Sequence, residues 1–444
     1  MRAVVGLALA LSTAGFALSA GCSNNNPAGG DAGPDGGGPD VSNDVSNDGT
    51  TTCDGGATTG SLASFTAPTD PGGGGILFAA SGEELALTGY AFPPVNDGDP
   101  AFVDGWDVHF DRLLVTIDKI TLSENPDLNQ GDESQTGKLV AEADGPWAVD
   151  LSHSDPSYLP GKGGGGEEAA PIVALTKQNK NGDAPFATDG TRYAFGFDVI
   201  PATAKTCDGR STMNVNLDAA GQSDYQTMIT QGCGILYVGT ATFKGDQGPM
   251  PTCNDDAVYA TWPKTIKFNL CFKSPTTYVN CQNPDNDPAT PLANEEHERG
   301  IAFLPNQSVI GQVTIHTDHP FWDSVLHDSP AHFDQFAAQL AGQADAGTPT
   351  VTLDMEKGVD YTAVKDALGN ALQWRYCIAP PTDVHPQFNG AMSFDPQSVP
   401  HATGSDPATG LRDYYDFATY DQSTQGHLNS DGLCFVKRNY PSPP

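Results

Sequence analysis

The chain predicts a mainly β protein, an antiparallel β-sandwich or a pair of them, with a few short helices. Three observations lead there. Apolar residues alternate with polar or small ones at a period of two through most of the hydrophobic runs. Gly, Pro, Asn and Asp separate those runs at irregular intervals, as turns and loops between strands do. Helical periodicity is confined to two short stretches, and no internal repeat of roughly 20–50 residues stands out, which disfavours a propeller or solenoid.

Taken in order, the first long run is WDVHFDRLLVTIDKITL from Trp106. Its parity changes near Arg112, which predicts a β-bulge or a strand crossing between sheets. Trp147, Val149 and Leu151 make a second strand, and Tyr193, Phe195, Phe197 and Val199 a third. Ile235, Tyr237, Gly239, Ala241 and Phe243 define a fourth, and Ile266, Phe268, Leu270 and Phe272 a fifth. Val309, Gly311, Val313 and Ile315 alternate with Ile310, Gln312, Thr314 and His316, so His316 ends the more polar face of a sixth. Residues 160–168 (PGKGGGGEE) and 280–291 (NCQNPDNDPATP) read as loops. Ser329 and Pro330 before AHFDQFAAQLAG look like an N-cap and a first-turn proline, with Phe333, Phe336, Ala337 and Leu340 on one face and Gly342 as the stop. Residues 360–372 are a second, weaker helical candidate.

The two ends of the chain differ in kind. Residues 1–21 carry one positive charge at Arg2, an apolar run from Ala3 to about Leu18 and then small residues, the pattern of a secretory leader. The run is too short and wrongly flanked for a spanning helix. Leu18-Ser19-Ala20-Gly21-Cys22 resembles a bacterial lipobox, with the departure that the large apolar residue stands four places before the cysteine. The resemblance implies a Gram-negative lipoprotein, diacylated at Cys22 and exported to the outer membrane or cell surface. Ser23, where aspartate would favour inner-membrane retention, leans the same way, and a periplasm-facing position is the other option. Cleavage after Gly21 that leaves Cys22 unmodified is the alternative. Buried acyl chains contribute roughly 0.8 kcal/mol per methylene, so two or more give stable attachment.

Residues 22–74 are rich in Gly, Pro, Asn and Asp and almost free of large apolar side chains, so they predict a disordered acidic tether. Such a tether spans about 40 Å root-mean-square. The formal net charge of -34 disfavours nucleic acid or an anionic membrane surface as partner. The lipid anchor and an unknown protein or glycan are the partners left. Residues 75–205 are expected to form a β-sandwich domain, and 206–444 a second β-rich, disulfide-containing region with short helices.

Nine cysteines less the lipidated one leave Cys53, Cys207, Cys233, Cys253, Cys271, Cys281, Cys377 and Cys434, an even set that in an exported chain predicts disulfides. Sequence does not give their connectivity, nor whether Cys53 in the tether is paired. The absence of CxxC argues against a zinc ribbon, a thioredoxin-like centre or haem attachment.

WDVHFDRLLVTIDKITL, GPWAVDL, IVALT and TRYAFGFDVIPAT, in that order, resemble a transthyretin-like sandwich domain of bacterial lipoproteins. The resemblance implies a fold and a setting but no activity.

The chemistry concentrates in HTDHPFWDSVLHDSPAHFDQF, where four of the ten histidines fall within residues 316–332. His316 ends a strand, His319 lies in the following loop, His327 closes a short turn, and His332 belongs to the first turn of the next helix. Neutral imidazoles of this kind suit zinc or copper, with Asp318, Asp323 or Asp328 as further ligand or as the group orienting a ring. The alternative is a polar loop whose histidines cap, pack on Trp322 or bond aspartates. Trp322 and Trp374, among polar residues, are expected at the surface.

Calcium is the lesser expectation. Asp285, Asp287 and Glu296 match positions of an EF-hand loop, but Ala289 and Thr290 stand where a ligand and the turn glycine belong. Catalytic signatures are missing: there is no HExxH and no GxSxG, and no catalytic residue is assigned. A binding or structural module is therefore the leading class. A secreted glycan hydrolase using unidentified carboxylates is the alternative.

Overall fold

The computed structural model describes residues 59–96, 98–129, 131–153, 169–248, 259–283, 298–323, 329–360, 363–372, 375–378, 413–424, 426–429 and 432–438. Cys22, Cys53, Cys253, His327 and Trp374 lie outside them. The fold is mainly β, with several sheets and a few short helices.

The long strand Trp106–Ser123 is the spine of a 12-stranded sheet. It pairs antiparallel with Ile235–Phe243, Trp147–Asp150, Leu139–Ala143 and Arg192–Val199. Its parity change is a register shift between Phe110 and Arg112 against Ile235–Phe243. Strands from both sides of residue 205 share this one sheet. A 5-stranded sheet packs against it, in the order Gly432–Leu433, His427–Leu428, Val309–Thr314, Ile76–Ser81 and Ala170–Leu175. Pairing is largely antiparallel, but Val309–Thr314 runs parallel to Ile76–Ser81, and Thr265–Phe272 parallel to Thr350–Thr352.

Alternation along the spine explains how one strand serves two cores. Leu113, Val115 and Ile117 point into the main core between the sheets, where Phe78 stacks on Phe195 at 5.6 Å between ring centroids. Leu114 faces the other way, into a smaller core with Leu236, Tyr225, Met228 and Ile229. The last three belong to the helix Ala219–Gln231, which covers that face. A strand buried on both faces reads as a nearly unbroken apolar run, as LLVTI does. Each large side chain so buried contributes about 1.5–3 kcal/mol.

The helix Ala219–Gln231 was not legible from apolar spacing, since its sequence AAGQSDYQTMITQ is mostly polar. Its signals are terminal: Asp218 accepts from the Gly221 amide, and Gly232 closes the helix at φ 79°. Tyr414–Ser423 is likewise capped by Asp413, which accepts from the Asp416 amide. The helix expected after Pro330 is shorter and later, running Asp334–Ala337 and tightening into a 3-10 turn at Ala338–Leu340. Among the described residues of 363–372 there is no helix, only a turn closed by the β-bridge between Lys365 and Ala371.

Two disulfides join Cys233 to Cys271 and Cys281 to Cys434, and Cys207 and Cys377 are disulfide-bonded as well. Among the described residues no helix is long and apolar enough to cross a membrane.

Candidate metal centre

The strand Val309–Thr314 lies between two others that end at its level. Thr314 stands opposite Ser81 on one side and opposite His427 on the other. The chain leaving Ser81 reaches Glu83, the chain leaving Thr314 reaches His316, and His427 is already in place. Strand register, rather than proximity in sequence, therefore gathers these groups at one end of the smaller sheet. Gly426 makes the approach of His427 feasible, because a Cβ there would lie 1.9 Å from the Tyr278 ring.

His316, Asp318 and His319 each offer a ligand atom, and these atoms lie within 4.8 Å of one another. Tetrahedral zinc spaces its nitrogen ligands roughly 3.3 Å apart, so small side-chain rotations would close the set around an ion. The His427 ring adds a third imidazole, with its centroid 4.1 Å from that of His316 and 5.4 Å from that of His319. His319 and His427 are buried, whereas His316 and Asp318 are partly exposed, so the cluster is closed beneath and open at its rim.

Neighbouring groups orient the rings. His319 opens the 3-10 turn His319–Phe321, which packs on the helix Tyr414–Ser423. Its Nδ1 lies 2.9 Å from Thr424 Oγ1, and that hydroxyl donates to the Asp421 carbonyl at 2.6 Å. A hydroxyl has one hydrogen, so Thr424 accepts from His319 Nδ1–H, and coordination falls to Nε2. Trp322 stacks on the same ring at 3.8 Å. Glu83 Oε2 lies 3.5 Å from His316 Nδ1 and plays the corresponding part for that ring. Glu83 is held at φ 63°, a conformation costly for a non-glycine residue, with its amide bonded to Ser81 Oγ.

The surroundings are electronegative. The Tyr90 hydroxyl, 2.7 Å from Thr317 Oγ1, is pushed well above the usual tyrosine range, first by burial and then by the negative charge of Asp318. Glu83 adds to that effect, and such a field favours a bound cation.

No family model, curated protein or solved structure matches this chain.

The structure thus brings together His316, Asp318 and His319 of the residues expected from sequence. His332 is turned elsewhere: its Nε2 lies 3.6 Å from Asp323 Oδ2 and its Nδ1 3.9 Å from Asp104 Oδ2. It precedes the helix Asp334–Ala337 rather than lying in its first turn. Trp322, expected at the surface, is buried against His319. His427 and Glu83 were missed. The separation of His427 from His319 leaves no local spacing to read, and a single histidine in a two-residue strand carries no signal of its own.

Proposed function

We propose that this chain is an exported, lipid-anchored protein, held by Cys22, that binds a transition-metal ion, zinc or copper, at His316, Asp318 and His319, with His427 as a further donor. The observation that carries the reading is the convergence of the three ligand atoms within 4.8 Å at the end of a sheet. Support comes from the hydrogen bond that leaves His319 Nε2 to coordinate and from the local negative field. The N,O donor set suits zinc and copper better than calcium, which prefers an all-oxygen shell. Export is supported by the leader pattern of residues 1–21 and by the disulfides. The role is binding rather than catalysis.

The test is zinc and copper titration of the full-length exported chain in detergent, in competition with a chromophoric chelator. A stoichiometric ion lost in the His316→Ala/His319→Ala variant, with its circular dichroism unchanged, is expected. Undiminished binding in that variant contradicts the assignment.

A further inference from the structure

Where the long strand of the large sheet begins at Trp106, two cations and four aromatic rings line a narrow cleft. Trp106 pairs with Phe243, the last residue of the strand Ile235–Phe243, and the Phe243 amide donates to the Lys264 carbonyl at 2.8 Å. That bond sets Lys264 beside the Phe243 ring, with Nζ 4.4 Å from the ring centroid. The 3-10 turn Tyr259–Thr261 brings Tyr259 and Trp262 to the same place, edge to face at 4.3 Å between ring centroids. The Arg375 guanidinium lies 3.7 Å from the Tyr259 centroid and 4.4 Å from that of Phe243. Together with Pro263 these side chains enclose about 160 Å³ of empty space, the mouth included.

Two donors at this cleft are buried and lack an acceptor. Arg375 is 6% exposed; Asp334 takes its Nε and Nη2, but its Nη1 has no hydrogen-bond partner among the described residues. Trp262 is 2% exposed and its indole N–H likewise has none, whereas the Trp106 N–H finds Asp334 at 2.8 Å. Burying a donor without an acceptor is costly, most of all for a charged group. The charge is unbalanced as well. Arg375 and Lys264 set against Asp334 leave one positive charge over, in a chain whose formal net charge is -34. Burial and then the charge of Arg375 lower the Lys264 ammonium below the usual lysine range, so the two cations face one another. Asp104 also acts on Arg375, but burial and the neighbouring Asp334 raise its carboxyl well above the usual range, which suppresses its charge. Asp246, the acid acting on Lys264, is exposed and screened by solvent.

We propose that this cleft binds a small organic carboxylate, held by Arg375 Nη1, the Trp262 indole N–H and the Lys264 ammonium. A carboxylate supplies the acceptor oxygens that the two buried donors lack, and hydrogen bonds between a guanidinium and a carboxylate are among the strong ones. Its single negative charge matches the surplus, whereas phosphate at neutral pH carries more. The floor of the cleft is narrower than a water molecule, so the ligand enters as Lys264, exposed and on a flexible stem, swings outward from the Phe243 ring. The Trp106, Tyr259 and Trp262 rings are buried, so they wall the carboxylate without offering an open face to stack on, and the rest of the ligand stays outside. None of the metal-binding residues takes part, and the site is independent of the reading above.

The experiment is calorimetric titration of the full-length exported chain in detergent, treated with chelator so that no metal intervenes. Acetate and glucuronate are the carboxylate probes, and glucose and inorganic phosphate the comparisons. One carboxylate bound per chain, more weakly as salt is added, is expected, with no binding of glucose. Lys264→Met, at an exposed position, should weaken carboxylate binding about threefold. Trp262→Phe, which keeps a ring and removes the N–H, should weaken it about fivefold. Phosphate bound as tightly as the carboxylates overturns the ligand class, and glucose bound as tightly as glucuronate does the same. No binding of either carboxylate by the parent, or parental affinity in both variants, overturns the site. If thermal melts show that Trp262→Phe folds poorly, Lys264→Met decides, and parental affinity in that variant overturns the proposal.

Discussion

Thr424 Oγ1 accepts a hydrogen bond from His319 Nδ1 at 2.9 Å while donating its own proton to the Asp421 carbonyl. This relay fixes the His319 tautomer, and it lies outside the proposed ligand set. Replacing Thr424 with valine keeps the shape and removes the acceptor. Zinc affinity should fall by about 10–100-fold, with the number of ions bound unchanged. Competition titration of the variant measures this, and parental affinity would show that Thr424 does not orient the ring.

The Cys281–Cys434 disulfide ties the segment carrying His427 to the rest of the β structure, closing a loop of 153 residues. Its loss should destabilise the fold by about 4–5 kcal/mol. The Cys281→Ser/Cys434→Ser variant should also bind zinc more weakly, because the strand His427–Leu428 loses its tether. Urea unfolding together with zinc titration checks both, and a stability loss with parental zinc affinity would remove His427 from the ligand set.

A different buried acid sets the stability of the large sheet. Asp118 accepts from Arg210 Nη1 at 2.8 Å and Nη2 at 3.1 Å, and from the Gly145 amide at 2.8 Å. Removing the guanidinium leaves that carboxylate buried with amide donors but without its counter-charge, so Arg210→Ala should cost about 3 kcal/mol. Asp118→Asn in the same background should recover part of the loss, because it removes the stranded charge. Equal stabilities for the single and double variants in urea melts would contradict this.

Asp198 stands opposite Asp118 across the sheet, and burial pushes its carboxyl up to about 6 from an ordinary 3.8. A hydrogen bond with Thr277 and the charge of Lys119 oppose the shift, while Asp118 and Glu142 add to it. The folded value exceeds the unfolded one. Its stabilising contribution is therefore complete below about pH 3.8 and is lost as pH rises through about 6. Asp198→Asn should exceed the parent in stability at pH 8 by on the order of 1–2 kcal/mol, a figure reduced for the carboxyl's partial exposure. The advantage should vanish toward pH 4. Denaturant melts across that range measure it, and a pH-independent difference would count against the assignment.

What sequence carries about this molecule follows the range of each interaction. The alternation of Ile235 to Phe243 is local and marks a strand with those same bounds. The parity change near Arg112 is local too, and it became a register shift. Strand partners are not local: nothing near His316 indicates that Thr314 sits opposite both Ser81 and His427, yet that register assembles the site. The histidine-rich run shows where imidazoles concentrate but not which way each ring turns. His332, sixteen residues beyond His316, is turned to Asp323 and Asp104 by the chain that enters the helix Asp334–Ala337.

Binding of a metal ion by His316, Asp318 and His319 is open to direct observation. Crystals of the full chain grown with zinc, with data collected on both sides of the zinc absorption edge, locate such an ion directly. An anomalous peak is expected at about 2.0–2.2 Å from His319 Nε2, a His316 ring nitrogen and an Asp318 oxygen. Zinc confined to exposed carboxylates, with these three side chains bonded only to protein, would contradict it.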